Sequence, residues 1–287
     1  KIIPNSKVKQ MRNYSLYAVC LLFFSCSNKQ KSSSESRTES NRSPKTIMAV
    51  FAHPDDELDV SPLLTKLASQ GHKVYLTIAT RGDMGVREHA KIPSGDSLAN
   101  VRARETECTC KTLGINPPIM LGLGDGKLTN WNALSILRKR LDSVFAVYKP
   151  DIVITWGAEG GSGHPDHRMV GAVVTEIYEG GQSPAFSKLF YTAIPTEHWR
   201  DEPPYKSEIS KDYHRNYKTV EKKYLPVRIW CSEQENKIAR EAMRCNTSQY
   251  PPEELDDNEL WMKNMNRDTV YLRPFTNAGY ISDNIFE

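Results

Sequence analysis

The sequence predicts an α/β protein: a Rossmann-like three-layer fold with a mostly parallel sheet between helices, followed by a C-terminal extension. Two observations predict it. Between Ile47 and Ala193, short apolar runs alternate with stretches of helical length and periodicity, and that alternation builds parallel sheets covered on both faces. Glycines then stand where the helix-like stretches stop, at Gly71, Gly114 and Gly180-Gly181, as helix ends favour.

Taken in order, Ile47–Ala52 is a buried strand, Leu58–Gln70 a helix ended by Gly71, and Lys73–Ala79 a second strand. Residues 98–113 are helical up to Gly114, Pro118–Leu123 is a strand, Trp131–Tyr148 a helix and Asp151–Trp156 a strand. Asp166–Tyr178 gives a further helix and Leu189–Ala193 a further strand. Beyond Ile194 the periodicity dissolves into a Tyr-, Lys-, Glu- and Pro-rich stretch reaching Tyr224. A late helix follows, opened by the capping box Ser232-Glu233-Gln234-Glu235 and running to about Arg244. Residues 196–287 are read as an extension of the same domain, and no internal repeat is present.

The composition of the 287 residues, 39% hydrophobic and 25% charged, excludes collagen-like, disulfide-dense, disordered and polytopic membrane chains. The formal charge of +3 is no sign of nucleic-acid binding. All four basic residues of positions 1–25 lack acidic neighbours, and without them 34 basic residues face 35 acidic ones.

The N-terminus reads as an address. Arg12 precedes the apolar run Leu16–Phe24, which is too short to span a bilayer, and Ser25-Cys26 follows. This resembles a bacterial lipoprotein signal, residues 1–26, in which Cys26 would become the acylated first residue. Its alternative is a plain cleaved signal peptide or a fortuitous apolar run. Residues 27–46 hold seven Ser and seven charged residues and read as a flexible tether. The expected layout is therefore signal, tether and a folded domain of residues 47–287, exported to the cell envelope and touching membrane only through Cys26. Cys108, Cys110, Cys231 and Cys245 remain in that domain with no Cys-x-x-Cys pair, and a Cys231–Cys245 disulfide is one option in an oxidising compartment.

In open α/β sheets ligands bind beyond the carboxyl ends of the strands. Four such loops are polar: Ala52-His53-Pro54-Asp55-Asp56-Glu57, Thr80-Arg81-Gly82-Asp83-Met84-Gly85, Gly124-Asp125-Gly126 and Gly160-Gly161-Ser162-Gly163-His164-Pro165-Asp166-His167. The first turn carries His, Pro and carboxylates where a dinucleotide site needs Gly-x-Gly-x-x-Gly. Gly160–His164 misses Gly-x-Ser-x-Gly at its last position, and His-Glu-x-x-His is absent. Two histidines and a carboxylate from two loops would make a metal site with open positions, and His53, Asp56 and His167 are the natural trio. Asp55 beside Asp56 is repulsive unless a cation neutralises the pair; N-capping of the next helix is the alternative use of the doublet.

Ala-His-Pro-Asp-Asp-Glu after the first strand and Gly-His-Pro-Asp-His after the fourth make the chain similar to the LmbE-like (PIG-L) de-N-acetylase family. Further likeness lies in Thr80–Gly85, Arg102 with Glu105 ahead of Leu113-Gly114, Leu123–Gly126 and Ser248-Gln249, so the resemblance covers about residues 47–250. It implies a zinc-dependent hydrolase that removes acetyl from N-acetylglucosamine units, with other divalent metals such as Fe2+ also compatible. Position by position, it implies His53, Asp56 and His167 as metal ligands, Asp55 as general base and His164 as catalytic histidine, or as support for the metal ligands. An imidazolium at His164, its pKa raised by Asp166, would stabilise the oxyanion or protonate the departing amine. Asp83 stands where Glu is commoner, and Asn246-Thr247 where His usually precedes Ser-Gln; both differences bear on substrate choice.

Arg81, Arg102 and Asp125 are the candidate sugar-binding groups, with a structural ion pair as the alternative for Arg102. Trp156, Trp199 and Tyr205 are candidate stacking platforms, although Trp156, ending a strand, is better suited to the core. Two rival functions remain at this level. Two His and one carboxylate also form the facial triad of non-haem iron oxygenases, and an exported glycan-binding module would keep the pocket without turnover.

Overall fold

The computed structural model describes residues 43–180, 186–264, 268–276, 279 and 281–286. The expected signal and residues 27–42 of the tether lie outside the described residues. Thr46–Phe51 (β1) explains the fold best. Ile47, Ala49 and Phe51 point to one face, Met48, Val50 and Ala52 to the other, and all six are 0% exposed. A strand buried on both sides cannot alternate polar with apolar residues, hence the unbroken run.

Around it lie Lys73–Thr80 (β2), Ile119–Leu123 (β3), Ile152–Trp156 (β4), Lys188–Thr192 (β5), Val227–Trp230 (β6) and Thr269–Pro274 (β7). The seven-stranded sheet has the order β3-β2-β1-β4-β5-β7-β6. The first five are parallel, while β7 runs antiparallel to both β5 and β6. Ser61–Ser69 (α1), Asp96–Leu113 (α2) and Glu233–Met243 (α6) pack together, with Leu63, Leu64 and Leu67 of α1 and Cys110 of α2 in the Ile47/Phe51 core. Trp131–Tyr148 (α3) and Pro165–Glu179 (α4) cover the Met48/Val50 face through Leu137, Leu141, Phe145, Val170 and Val174. The fold is thus the expected three-layer α/β one.

Within the extension, Glu208–Asn216 (α5), β6, Pro252–Asn264 (α7) and β7 are elements that the sequence pattern does not announce. Ser207 caps α5 by accepting from Ile209 N and Ser210 N, while Lys206 N and Ser207 N donate to buried Asp257 of α7 at 2.8 Å each. The capping box of α6 forms as expected, Glu235 N donating to Ser232 Oγ and Ser232 N to Glu235 Oε2. No helix among the described residues is long and apolar enough to cross a membrane.

The cysteines differ from the pairing considered above. Cys245 bonds to Cys108 of α2, at a Cα separation of 5.8 Å, and Cys231 is free and buried, as is Cys110. The packing of α6 on α2 decides this partnership, and sequence spacing cannot show it. The cross-link closes a separation of 137 residues, and its loss through Cys108→Ser should cost about 2–5 kcal/mol. The denaturant midpoint of the wild type should fall to that of the variant when reductant is added; a midpoint indifferent to reductant would contradict the bond.

Candidate metal and catalytic site

The chemistry gathers where β1 and β4 end. Asp55 adopts φ +86°, a left-handed conformation that Asp tolerates better than most residues, and the short helix Asp56–Asp59 starts directly after it. Asp56 does not cap α1; its Oδ2 accepts from Ala52 N at 3.0 Å and His53 N at 2.8 Å, holding its carboxylate inside its own turn. His167 lies in the first turn of α4, its ring stacked on Trp156 at 4.9 Å and 4°. Trp156, 3% exposed, is therefore a support for His167 and part of the core, not a sugar platform.

The ring nitrogens indicate what the site holds. His167 Nδ1 contacts the Gly160 carbonyl at 2.9 Å, and His53 Nε2 faces Asp125 Oδ1 at 3.0 Å and Asp166 Oδ2 at 3.5 Å. The Gly160 carbonyl places the N–H of His167 on Nδ1, and the two carboxylates favour one on His53 Nε2, an assignment that would leave lone pairs on His53 Nδ1 and His167 Nε2. These two nitrogens lie 3.1 Å apart; Asp56 Oδ1 is 3.1 Å from His167 Nε2 and Asp56 Oδ2 is 3.6 Å from His53 Nδ1. Three lone-pair donors at such separation repel unless a cation lies among them, and ligands of a tetrahedral zinc are spaced by roughly 3.3 Å. Ring nitrogens of His53, His164 and His167 also lie within 4.8 Å of one another, as do donor atoms of His53, Asp125 and Asp166.

The surrounding carboxylates favour positive charge at this spot, whether carried by the His53 ring or by a cation. Burial opposes a charged His53, yet Asp125, Asp166 and Asp56 outweigh it and hold its pKa well above the ordinary value. Burial likewise opposes a charged Asp56, but His167 and His53 keep its pKa well below the usual carboxylate range. Burial raises Asp55, with Arg102 pulling down and Asp56 pushing up, and burial pushes neighbouring Glu57 to about 8, so it is neutral near pH 7.

His164 is the N-cap of α4, its Nδ1 accepting from Asp166 N at 3.1 Å. That bond requires an unprotonated Nδ1 and puts the ring proton on Nε2. Burial first, then the charges on His53 and His167, lower its pKa; Asp166 raises it but is outweighed. Burial and the opposing charges thus favour a neutral imidazole with an N–H donor over the expected imidazolium, while Asp166 accepts from Gly126 N and Leu128 N and faces His53.

The sugar-binding expectations divide. Arg81 pairs with Asp96 at 2.5 Å and does not line the cavity. Arg102, 3% exposed, donates to the Pro54 and Gly82 carbonyls and pairs with Asp55 Oδ1 at 3.1 Å, which is the structural ion pair. Asp125 stands behind His53, its Oδ2 accepting from Met84 N. Asp83 Oδ1 in turn accepts from Asp125 N, so its short side chain serves the loop.

A cavity of about 340 Å³ opens over these groups. Its outer wall comes from the extension, notably Ile209, Tyr213, Asn258, Trp261 and Tyr250. Trp199 and Tyr205 line it too, but Trp199 stacks on His214 at 4.5 Å and Tyr205 Oη contacts His214 Nδ1 at 3.3 Å, so both are largely spent on the wall itself. Tyr213 belongs to the Tyr-rich stretch 196–224 that the sequence offers as a rim over the site or a solvated loop, and it lines the cavity; sequence reasoning missed Tyr250 and Trp261.

Comparison with known proteins adds the context. The family profile described as "PIG-L: GlcNAc-PI de-N-acetylase" matches residues 48–178. A 1D-myo-inositol 2-acetamido-2-deoxy-alpha-D-glucopyranoside deacetylase of Thermobispora bispora is 27% identical over 181 residues, covering 53% of this chain and 60% of that protein. The chain thus spans less than two thirds of that relative. Among solved structures, an N,N'-diacetylchitobiose deacetylase from Pyrococcus horikoshii aligns with TM-score 0.59 at 20% identity, over 80% of this chain and 84% of that one. A 4-carboxy-2-hydroxymuconate hydratase from Pseudomonas putida KT2440 aligns with TM-score 0.51 at 15% identity, over 84% and 99%. The fold therefore carries more than one reaction, and the site must decide between them.

Proposed function

We propose that this chain, a member of the PIG-L family through residues 48–178, is a zinc-dependent hydrolase that removes the acetyl group from an N-acetylglucosamine-type sugar. The observation that carries the reading is the 3.1 Å approach of His53 Nδ1 and His167 Nε2 beside Asp56, with Asp55 adjoining. His53 Nδ1, His167 Nε2 and an Asp56 oxygen would hold the cation, zinc or another divalent metal. When bound, it supplies a Lewis acid for the amide carbonyl and lowers the pKa of water toward neutrality.

The protein's own groups do the rest. Asp55, raised by burial and oriented by Arg102, takes the proton of the attacking water as the C–O bond forms and returns it to the sugar nitrogen as the C–N bond breaks, releasing acetate and the free amine. His164 donates from Nε2–H toward the developing oxyanion, a role for a neutral imidazole whose orientation the Asp166 N–H fixes. Asp125 and the Gly160 carbonyl keep the two histidine ligands in the right tautomer.

The cavity favours an uncharged glycoconjugate. Both of its arginines are already neutralised, Arg87 by both oxygens of Glu254 at 2.5 Å and Arg102 by Asp55, and the outer wall is aromatic and aliphatic. Release of free amine from neutral N-acetylglucosamine glycosides, with phosphate-bearing counterparts alongside, tests the proposal. Neutral glycosides should be deacetylated faster; no amine from any glycoside, or preference for the phosphorylated ones, would contradict it. Attachment to the cell envelope through Cys26 is part of the same proposal. The Cys108–Cys245 bond supports an oxidising compartment, and labelled palmitate should be lost in Cys26→Ala.

A further inference from the structure

Asp55 is gripped from two sides, and both grips trace to one face of α2. Arg102 reaches Asp55 Oδ1 directly at 3.1 Å. Glu105, one turn further along the same face, binds the turn after α6: its Oε1 accepts from Ser248 N at 2.7 Å and Thr247 Oγ1 at 3.1 Å, and its Oε2 from Ser248 Oγ at 2.6 Å. Gln249 Nε2 donates to the Gly85 carbonyl at 3.0 Å and to Ser248 Oγ at 3.1 Å, while Cys245 is bonded to Cys108, three residues beyond Glu105. The turn so fastened ends in Tyr250, whose backbone N–H returns to the Asn246 carbonyl and whose hydroxyl donates to Asp55 Oδ2 at 3.2 Å.

We infer that Tyr250 is a positioning residue for the reaction: its hydroxyl holds the second oxygen of Asp55, and the Glu105 clasp on residues 247–249 holds Tyr250. The inference rests on Asp55 acting as the base. A left-handed Asp with one oxygen on Arg102 keeps a carboxylate plane that still turns about its own axis. Fixing Oδ2 removes that freedom and leaves the remaining lone pairs directed into the cavity. The clasp also accounts for the joint presence of Arg102-x-x-Glu105 and Ser248-Gln249 so far apart in the chain: one helix face serves both oxygens of one carboxylate.

Tyr250→Phe keeps the ring and removes the hydroxyl. With the zinc-loaded protein and a neutral N-acetylglucosamine glycoside, kcat should fall about tenfold, the scale of one hydrogen bond to a charged group, with KM within about twofold. Ser248→Ala should lower kcat less, and should lower it no further in the Tyr250→Phe background, because the clasp acts through the hydroxyl. An unchanged kcat in Tyr250→Phe, a rise in KM alone, or additive losses in the double variant would overturn the inference. Crystal structures of the metal-free wild type and of Tyr250→Phe supply a readout independent of turnover. The Asp55 carboxylate should be single in the first and rotated or split in the second, and an identical carboxylate in both would also overturn it. Absence of turnover in the wild type would instead strike at the hydrolase reading, leaving this crystallographic arm to decide the role of Tyr250.

Discussion

Asp55→Asn is expected to lower kcat by about 100- to 10,000-fold, the range in which a positioned general base contributes, while bound metal stays near the wild-type stoichiometry. The substitution isolates proton acceptance. Asn tolerates the left-handed backbone that Asp55 adopts at φ +86°, and its amide oxygen still accepts from Arg102. His53, Asp56 and His167 retain every contact described above. Steady-state kinetics beside metal analysis of the purified variant check this. A variant within a few-fold of the wild type would remove Asp55 from the chemistry.

The second large effect is on the metal. His167→Ala deletes one of three converging donors and also empties the face of Trp156 on which the ring stacks. Affinity should fall by more than the roughly 10- to 100-fold that loss of an outer hydrogen-bonding partner costs. The readout is thermal: a ligand at a hundred times its Kd stabilises the native state by about 2.7 kcal/mol, so zinc should raise the melting temperature of the wild type and leave that of His167→Ala nearly unmoved. An equal zinc-induced rise in both proteins would place the metal elsewhere.

The parts of this protein legible in the sequence are those governed by local rules. Runs such as Ile47–Ala52 announce buried parallel strands because both faces must be apolar, and the Ser232–Glu235 box announces a helix start because the bonds that define it are local. The helix Trp131–Tyr148 begins and ends where periodicity places it. β6 and β7 escaped notice: they lie at the antiparallel end of the sheet, where pairing with distant partners rather than local pattern decides the outcome. α5 and α7 are polar helices that gain their place from each other through Asp257, a tie invisible at the level of composition.

The candidate site divides along the same line. His53, Asp55, Asp56, His164 and His167 are recognisable because strand ends and helix starts bring them together by topology. Arg102 and Asp125 both line the cavity, but their ties to Asp55 and His53 are reached only through folding and could not be read from the sequence. Arg81 looked equally suitable and is held at the periphery by Asp96. The lowered pKa of His164 comes from burial and then from the charges opposite, while the Asp166 N–H fixes which nitrogen accepts; residue identities alone suggested the reverse.

The central claim is metal-dependent hydrolysis of an N-acetyl amide, and acetate release measured across removal and return of the metal addresses it most directly. Protein stripped by a chelator should release no acetate from a neutral N-acetylglucosamine glycoside, and addition of zinc should restore release, with one oxygen of the acetate drawn from labelled water. Release that persists in the stripped protein, release that requires dioxygen, or none while zinc and glycoside are both bound would contradict the claim.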